Sequence, residues 1–138
     1  MSRVRDVADR LAAVPLFARC EPRDLRIVAR HAEVATIEAA TPLVRQGDGG
    51  DALFVLLTGS ARVERDGAEV GRLGPGDYFG ELALLDPAPR AATVTAVENC
   101  EVAVLSVRMF RVLLREVPEI AAELLAHLAR RVRDARDE

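Results

Sequence analysis

The chain has 138 residues, of which 50% are hydrophobic and 30% charged, a composition typical of one globular domain with its own core. The longest apolar run, Ala52–Leu57, is too short to cross a bilayer, and the charged N-terminus has no signal-peptide core, so we expect a cytoplasmic protein without a membrane partner. The net charge of −3 argues against a nucleic-acid surface, and Cys20 and Cys100 lack metal-ligand spacing, which indicates reduced structural thiols.

The first 34 residues are predicted to be helical. One helix is expected from Val4 to about Val14, and Pro15-Leu16-Phe17 interrupts it. A second helix begins near Glu21 with Pro22 in its first turn. Its apolar face is formed by Leu25, Val28, Ala29 and Ala32.

Residues 35–105 carry the signals of short strands separated by glycine turns. The dipeptide Asp66-Gly67 is a strong hairpin turn between two of these strands. The predicted strands are Thr36–Glu38, Pro42–Arg45, Leu53–Leu57, Ala61–Arg65 and Glu69–Leu73. Many short strands of this kind predict a small jelly-roll barrel.

Residues 106–138 return to helical patterns. Ser106 is a candidate N-cap, and Pro118 opens the last helix. The apolar positions of that helix recur every four residues, at Ile120, Leu124, Leu128 and Val132. We expect the charged stretch 130–138 to fray. All three regions are predicted to form one domain, 1–138.

The segment 79–96 has the features of an anion site, and it reads FGELALLDPAPRAATVTA. Leu82–Leu85 supplies helix formers for a short turn whose first N–H groups have no internal partner. Gly80 leaves room beside those donors, and the prolines 87 and 89 end the turn. Arg90 follows where its guanidinium could contact the same anion from the opposite side.

This segment resembles the phosphate-binding cassette of the cyclic nucleotide-binding domain. That module is shared by the regulatory subunit of cyclic-AMP-dependent protein kinase, the bacterial catabolite activator protein and cyclic-nucleotide-gated channels. The matching residues are Phe79–Leu84, Pro89–Val94 and Ala96. The resemblance implies a mainly β fold with flanking helices, a double-stranded β-helix (jelly-roll) barrel with N-terminal helices and two C-terminal helices.

The resemblance also implies roles for single residues. Glu81 is expected to accept a hydrogen bond from the ribose 2′-hydroxyl, and Arg90 to pair with the charged oxygens of the cyclic phosphate. Backbone N–H groups around four further residues complete the cradle: Gly80, Leu82, Ala83 and Ala92. In the family, threonine directly after the arginine favours guanine. Because Ala91 stands there, cyclic AMP is the expected ligand, with cyclic GMP as the second choice and no cofactor.

The resemblance implies that the C-terminal helices respond to ligand binding. The hinge helix is expected to move with the cassette, and the final helix is expected to close over the base. The candidate hinge contacts are Phe110 and the pair Leu113/Leu114 against Leu82 or Leu85. The candidates for covering the base are Leu124, Leu128 and an arginine among Arg130, Arg131 and Arg133. The same apolar stripe could instead form a homodimer contact or bind an effector domain.

Three alternatives stay open beside a regulatory sensor. An enzyme is disfavoured because His31 and His127 lie apart on predicted helices, as surface or partly buried residues without metal-ligand spacing. The chain could be the sensor half of a catabolite-activator-like transcription regulator without its DNA-binding domain, or come from a channel or a kinase-linked protein. It could also be an assembly module that no longer binds nucleotide, although Glu81 and Arg90 argue against this.

Overall fold

The computed structural model describes residues 3–81 and 89–137, with side chains through residue 134. Within these ranges the helices are α1 (Arg3–Leu11), α2 (Pro22–His31), α3 (Val107–Glu116) and α4 (Pro118–Asp137), with a 3₁₀ turn at Pro15–Phe17. The strands are β1 (Glu33–Ile37), β2 (Pro42–Val44), β3 (Ala52–Thr58), β4 (Ala61–Arg65), β5 (Ala68–Leu73), β6 (Tyr78–Phe79), β7 (Thr93–Ala96) and β8 (Cys100–Ser106).

Within the described ranges the strands form two four-stranded antiparallel sheets. One sheet has the order β1-β8-β3-β6, and the other has the order β2-β7-β4-β5. Neighbouring strands in each sheet are mostly far apart in the chain, as a jelly roll requires. The predicted class, mainly β with flanking helices, is confirmed.

Strands β3 and β8 separate two hydrophobic clusters because their side chains alternate between the faces of the sheet. Leu53 and Val55 of β3 pack with the helices in the larger cluster, which also contains Phe17 and Phe110. Leu56 joins a smaller cluster between the two sheets. The barrel therefore has an interior of its own, and the helices cover its outer side.

The N-terminal helices differ from the prediction at one end. Helix α1 stops at Leu11, because the amides of residues 13 and 14 bond to carbonyls three residues back and tighten the chain. Val14 then adopts an extended conformation, as the residue before a proline tends to do. Helix α2 begins as predicted, with Pro22 in its first turn and a reciprocal capping box between Glu21 and Asp24.

Two local predictions are confirmed in detail. Asp66 and Gly67 have φ of 54° and 83°, the left-handed pair that a tight hairpin between β4 and β5 needs. The Ser106 hydroxyl accepts a hydrogen bond from the Met109 amide at 3.1 Å and caps α3.

The C-terminal stretch that was expected to fray is helical in the described residues, and fraying itself stays a prediction. Helix α4 continues to Asp137, well beyond the point at which the charged stretch begins. None of the described helices is long and apolar enough to span a membrane. Cys20 and Cys100 are free thiols, and burial raises the pKa of both, that of Cys20 to about 11.

Candidate functional site

The segment that carries Gly80 and Glu81 leaves the sheet at the end of β6. Phe79 pairs with Phe54 of β3, and the two rings stack with centroids 5.0 Å apart. Gly80 follows with φ of 98°, and a Cβ there would lie 2.4 Å from the Ala52 carbonyl oxygen. Only glycine fits this position, because both the dihedral and the contact with backbone exclude a side chain. The turn at Gly80 directs Glu81 into the interior.

Glu81 is 3% exposed and forms an ion pair with a residue fifty positions away. Arg131 of α4 donates from Nη1 to Glu81 Oε1 at 2.8 Å. A buried carboxylate is costly unless a partner compensates its charge. The side chain of Arg131 is itself 53% exposed, so the pair lies at the boundary between the interior and the solvent.

Arg90 is held by hydrogen bonds on its backbone and on its side chain. Its amide donates to the Asp48 carbonyl at 2.8 Å, and its carbonyl accepts from the Gly47 amide at 2.8 Å. From the guanidinium, Nη2 donates to the Ala52 carbonyl at 3.1 Å. The buried Nε has no hydrogen-bond partner among the described residues. The guanidinium is therefore anchored, with donor capacity left over.

These residues line one cavity of about 860 Å³, a volume typical of small-molecule sites. Its apolar walls come from the barrel strands, and its charged groups come from both the barrel and α4. Five arginines and two carboxylates face it within the described part of the chain, so this lining is net positive: Arg65, Arg72, Arg90, Arg130, Arg131, Asp77 and Glu81. An anionic ligand matches this charge.

Tyr78 and His127 connect the cavity wall to α4. Their rings are 4.9 Å apart at an angle of 45°, and both side chains line the cavity. The Tyr78 hydroxyl is buried without a hydrogen-bond partner among the described residues. Burial, and next the carboxylate of Glu81, raise the pKa of this hydroxyl above its usual value.

The structure brings together the predicted site residues that it describes: Gly80, Glu81, Arg90, Ala91 and Ala92 all line the cavity. Leu82 and Ala83 lie outside the described residues, as does the predicted helical turn at 82–85. The ligand contacts assigned to these residues stay predictions.

The candidates for covering the base divide into two groups. Arg130 and Arg131 line the cavity, whereas Arg133 is exposed on α4 and does not. Leu124 belongs to the large hydrophobic cluster, and Leu128 packs against it. We therefore do not expect either leucine to cover the base, since both side chains pack in the hydrophobic core.

The hinge candidates are core residues. Phe110 and Leu113 are fully buried in the cluster beneath the helices, and Leu114 packs against them. The partners proposed for them, Leu82 and Leu85, lie outside the described residues, so the hinge contact stays a prediction.

Sequence reasoning missed Tyr78, Arg65 and Arg72 as cavity residues. The alternation of β4 carried a usable signal for Arg65, because Val63 and Arg65 share the face that lines the cavity. Tyr78 directly precedes the matched cassette and could have been included for that reason. His127, which was predicted to be a surface or partly buried residue, is partly buried. The described residues contain no cluster of histidines, cysteines and carboxylates that could hold a metal ion.

Comparison with known proteins places this site in a family. A sequence model described as the cyclic nucleotide-binding domain matches residues 34–117. The cyclic AMP receptor protein of Thermus thermophilus is 36% identical over 126 residues, which cover 88% of this chain and 58% of that protein. The chain thus spans less than two thirds of this relative.

Two solved structures show how far the fold extends. One, described as Sp-2Cl-cAMPS bound to PKAR CBD2, has a TM-score of 0.81 at 28% identity and covers 96% of this chain and 91% of its own. The regulatory subunit of a cAMP-independent protein kinase A from Trypanosoma brucei has a TM-score of 0.83 at 23% identity, covering 91% of this chain and 45% of its own. The second likeness shows the fold alone, and the jelly roll is confirmed by both. By its sequence and its fold, the chain belongs to the cyclic nucleotide-binding domain family.

Proposed function

We propose that this domain binds a cyclic nucleotide, cyclic AMP in preference to cyclic GMP, in the cavity between the barrel and α4. The observation that carries the proposal is the presence of an arginine and a buried carboxylate in the lining of one cavity. An anchored guanidinium at Arg90 and a buried carboxylate at Glu81 line the same space. A cyclic nucleotide offers the complements of both groups, a charged phosphate and a ribose hydroxyl, on adjoining rings.

The phosphate is assigned to Arg90 because its guanidinium is pre-positioned. The hydrogen bond to the Ala52 carbonyl fixes Nη2, and the two backbone hydrogen bonds fix the start of the side chain. A fork that is already ordered loses little entropy when it binds an anion. The small residues Ala91 and Ala92, together with Gly80, let the ligand approach the backbone closely, and we assign Leu82 and Ala83 to the same cradle.

The ribose is assigned to Glu81. A carboxylate is an acceptor only, so a hydroxyl can donate to it, whereas a second phosphate would be repelled. Arg131 compensates the charge of Glu81 through a hydrogen bond from Nη1 to Oε1. Because a carboxylate has two acceptor oxygens, we assign the ribose hydroxyl to the oxygen that Arg131 does not contact.

The preference for adenine rests on Ala91, which lines the cavity directly after Arg90. Its methyl group has neither a donor nor an acceptor for the guanine amino group. The ligand of the PKAR CBD2 structure, Sp-2Cl-cAMPS, is an analogue of cyclic AMP and agrees with this preference.

We expect helix α4 to change its position or contacts when a ligand occupies the cavity. Three of its residues line the cavity, namely His127, Arg130 and Arg131. A ligand in the cavity changes their surroundings, and the helix extends to the end of the described chain. We infer a regulatory role in the cytoplasm rather than catalysis, with a second copy or an effector domain contacted through the C-terminal helices.

The deciding experiment compares ligands that differ in one feature. Thermal unfolding is followed with cyclic AMP, cyclic GMP and linear AMP, because a ligand that binds only the folded state raises its stability. At 100 times Kd the expected gain is about 2.7 kcal/mol. A shift with the cyclic forms alone supports the proposal. If none of the three shifts the transition, the domain does not bind them and assembly becomes the better interpretation.

A further inference from the structure

The loop between β2 and β3 lies directly against Arg90 in space. The amide of Gly47 and the carbonyl of Asp48 exchange hydrogen bonds with the backbone of Arg90, both at 2.8 Å. Two residues later the same loop reaches Gly50, which lies against the guanidinium. A Cβ on Gly50 would lie 2.5 Å from both Nε and Nη2 of Arg90 and 2.8 Å from its Cζ.

No other glycine in the described ranges has such an environment. At Gly50 all three of the nearest atoms belong to the Arg90 guanidinium. At Gly80 the nearest atom is instead the backbone oxygen of Ala52, at 2.4 Å. The adjacent Gly49 belongs to the same loop, yet a Cβ added there would have nothing within 4 Å among the described residues.

We propose that Gly50 is a positioning residue for Arg90, and that its missing side chain sets where the guanidinium lies in the anion site. Without a Cβ, the guanidinium can lie against the loop backbone while Nη2 donates to the Ala52 carbonyl. With a Cβ, that arrangement is sterically excluded, because real Cβ contacts below 3.0 Å essentially do not occur. This inference rests on the proposed function, because it assigns Arg90 to the ligand phosphate.

The clash predicts that a side chain at Gly50 weakens ligand binding without destabilising the fold. The atoms that a new methyl group meets are the far end of a flexible side chain, which can move aside without disturbing the backbone. Gly50 also has no left-handed φ, so alanine introduces no dihedral strain there. Gly50→Ala should therefore displace the Arg90 guanidinium and leave the fold intact.

The position of Arg90 can be tested without ligand. The NMR signal of the Arg90 Nε–H group, assigned by its loss in Arg90→Leu, is compared among the wild type, Gly50→Ala and Gly49→Ala. We expect it to move in Gly50→Ala and to stay in place in Gly49→Ala. An unmoved signal in Gly50→Ala overturns the inference, whether or not the protein binds cyclic nucleotide.

The consequence for binding is measured by calorimetry with cyclic AMP. Gly50→Ala should weaken binding by about 10- to 100-fold, the range for losing a charge-assisted hydrogen bond. Gly49→Ala should stay within about twofold of the wild type, the change expected of an exposed residue without contacts. Urea unfolding should show little difference between the two variants. Equal affinities for Gly50→Ala and the wild type would contradict the inference.

A double-variant cycle separates positioning from a general effect of the loop. If Gly50 acts through Arg90, Gly50→Ala should change affinity little once Arg90→Leu has removed the guanidinium. In an Arg90→Lys background the effect should also shrink, because lysine has no planar fork to displace. If Gly50→Ala weakens affinity in both of these backgrounds as much as it does in the wild type, the loop itself is altered and the positioning role is refuted. If the wild type binds none of the nucleotides, the proposed function fails, and the NMR comparison still decides where Gly50 places Arg90.

Discussion

The ion pair between Glu81 and Arg131 gives the most direct test of how α4 is held on the barrel. Arg131→Met removes the charge and keeps much of the apolar stem, so Glu81 stays 3% exposed without its partner. Breaking a fully buried pair costs about 3–5 kcal/mol, and exposed pairs contribute about 0–1 kcal/mol. Because the Arg131 side chain is 53% exposed, we expect an intermediate loss of about 1–3 kcal/mol in the free energy of unfolding.

The assay is urea unfolding of Arg131→Met, Glu81→Gln and the double variant, from which the coupling energy follows. Arg133→Met is the matched control, because Arg133 is an exposed residue of the same helix that does not line the cavity. It should change the unfolding free energy by less than about 0.5 kcal/mol. A coupling energy below about 0.5 kcal/mol between Glu81 and Arg131 would show that the pair does not hold α4 in place.

Two further substitutions test the ligand contacts, one tests a buried hydroxyl of the cavity wall, and a labelling experiment tests a thiol outside the site. Arg90→Leu should weaken cyclic AMP binding by about 2–5 kcal/mol, the range for removing one partner of a buried charged pair, and unchanged affinity in calorimetry would contradict the phosphate assignment. Ala91→Thr should raise the affinity for cyclic GMP relative to cyclic AMP, and an unaltered ratio of the two Kd values would remove the base-selectivity argument. Tyr78→Phe should stabilise the ligand-free protein by about 1 kcal/mol in urea unfolding, because the buried hydroxyl has no partner among the described residues, whereas destabilisation would reveal a bond that the hydroxyl makes. Because the pKa of Cys20 is raised to about 11, its thiol stays protonated below that pH. Alkylation of Cys20, followed by mass spectrometry, should therefore be slow at pH 8 and become faster as the pH rises. An alkylation rate at pH 8 equal to that of an unfolded peptide would contradict the raised pKa.

Local chemistry made the turns and caps predictable. The Asp66-Gly67 hairpin and the Ser106 cap depend on neighbours within a few residues, and both were recognisable from sequence. The predicted strands were correct to within a few residues for the same reason. By contrast, β6 is only two residues long and is defined by its pairing with β3, which no local pattern announces.

The polar contacts of the site were less predictable because they join distant segments. The motif at 79–96 identified Gly80 and Arg90, but not the loop glycine that lies against the guanidinium. The end of α4 was expected to fray because its charges look the same in sequence whether they face water or a buried carboxylate. The partner of Arg131 is fifty residues away, so only the folded structure reveals it.

Two opposite charges that line the cavity, those of Glu81 and Arg90, are not paired with each other in the described contacts. These contacts instead pair Glu81 with Arg131 and Arg90 with the Ala52 carbonyl. A direct bridge between Glu81 and Arg90 would neutralise the guanidinium that an anion needs. Because α4 supplies the cation for Glu81 instead, the charge of Arg90 stays available to a ligand. The position of α4 and the electrostatics of the anion site therefore depend on the same carboxylate.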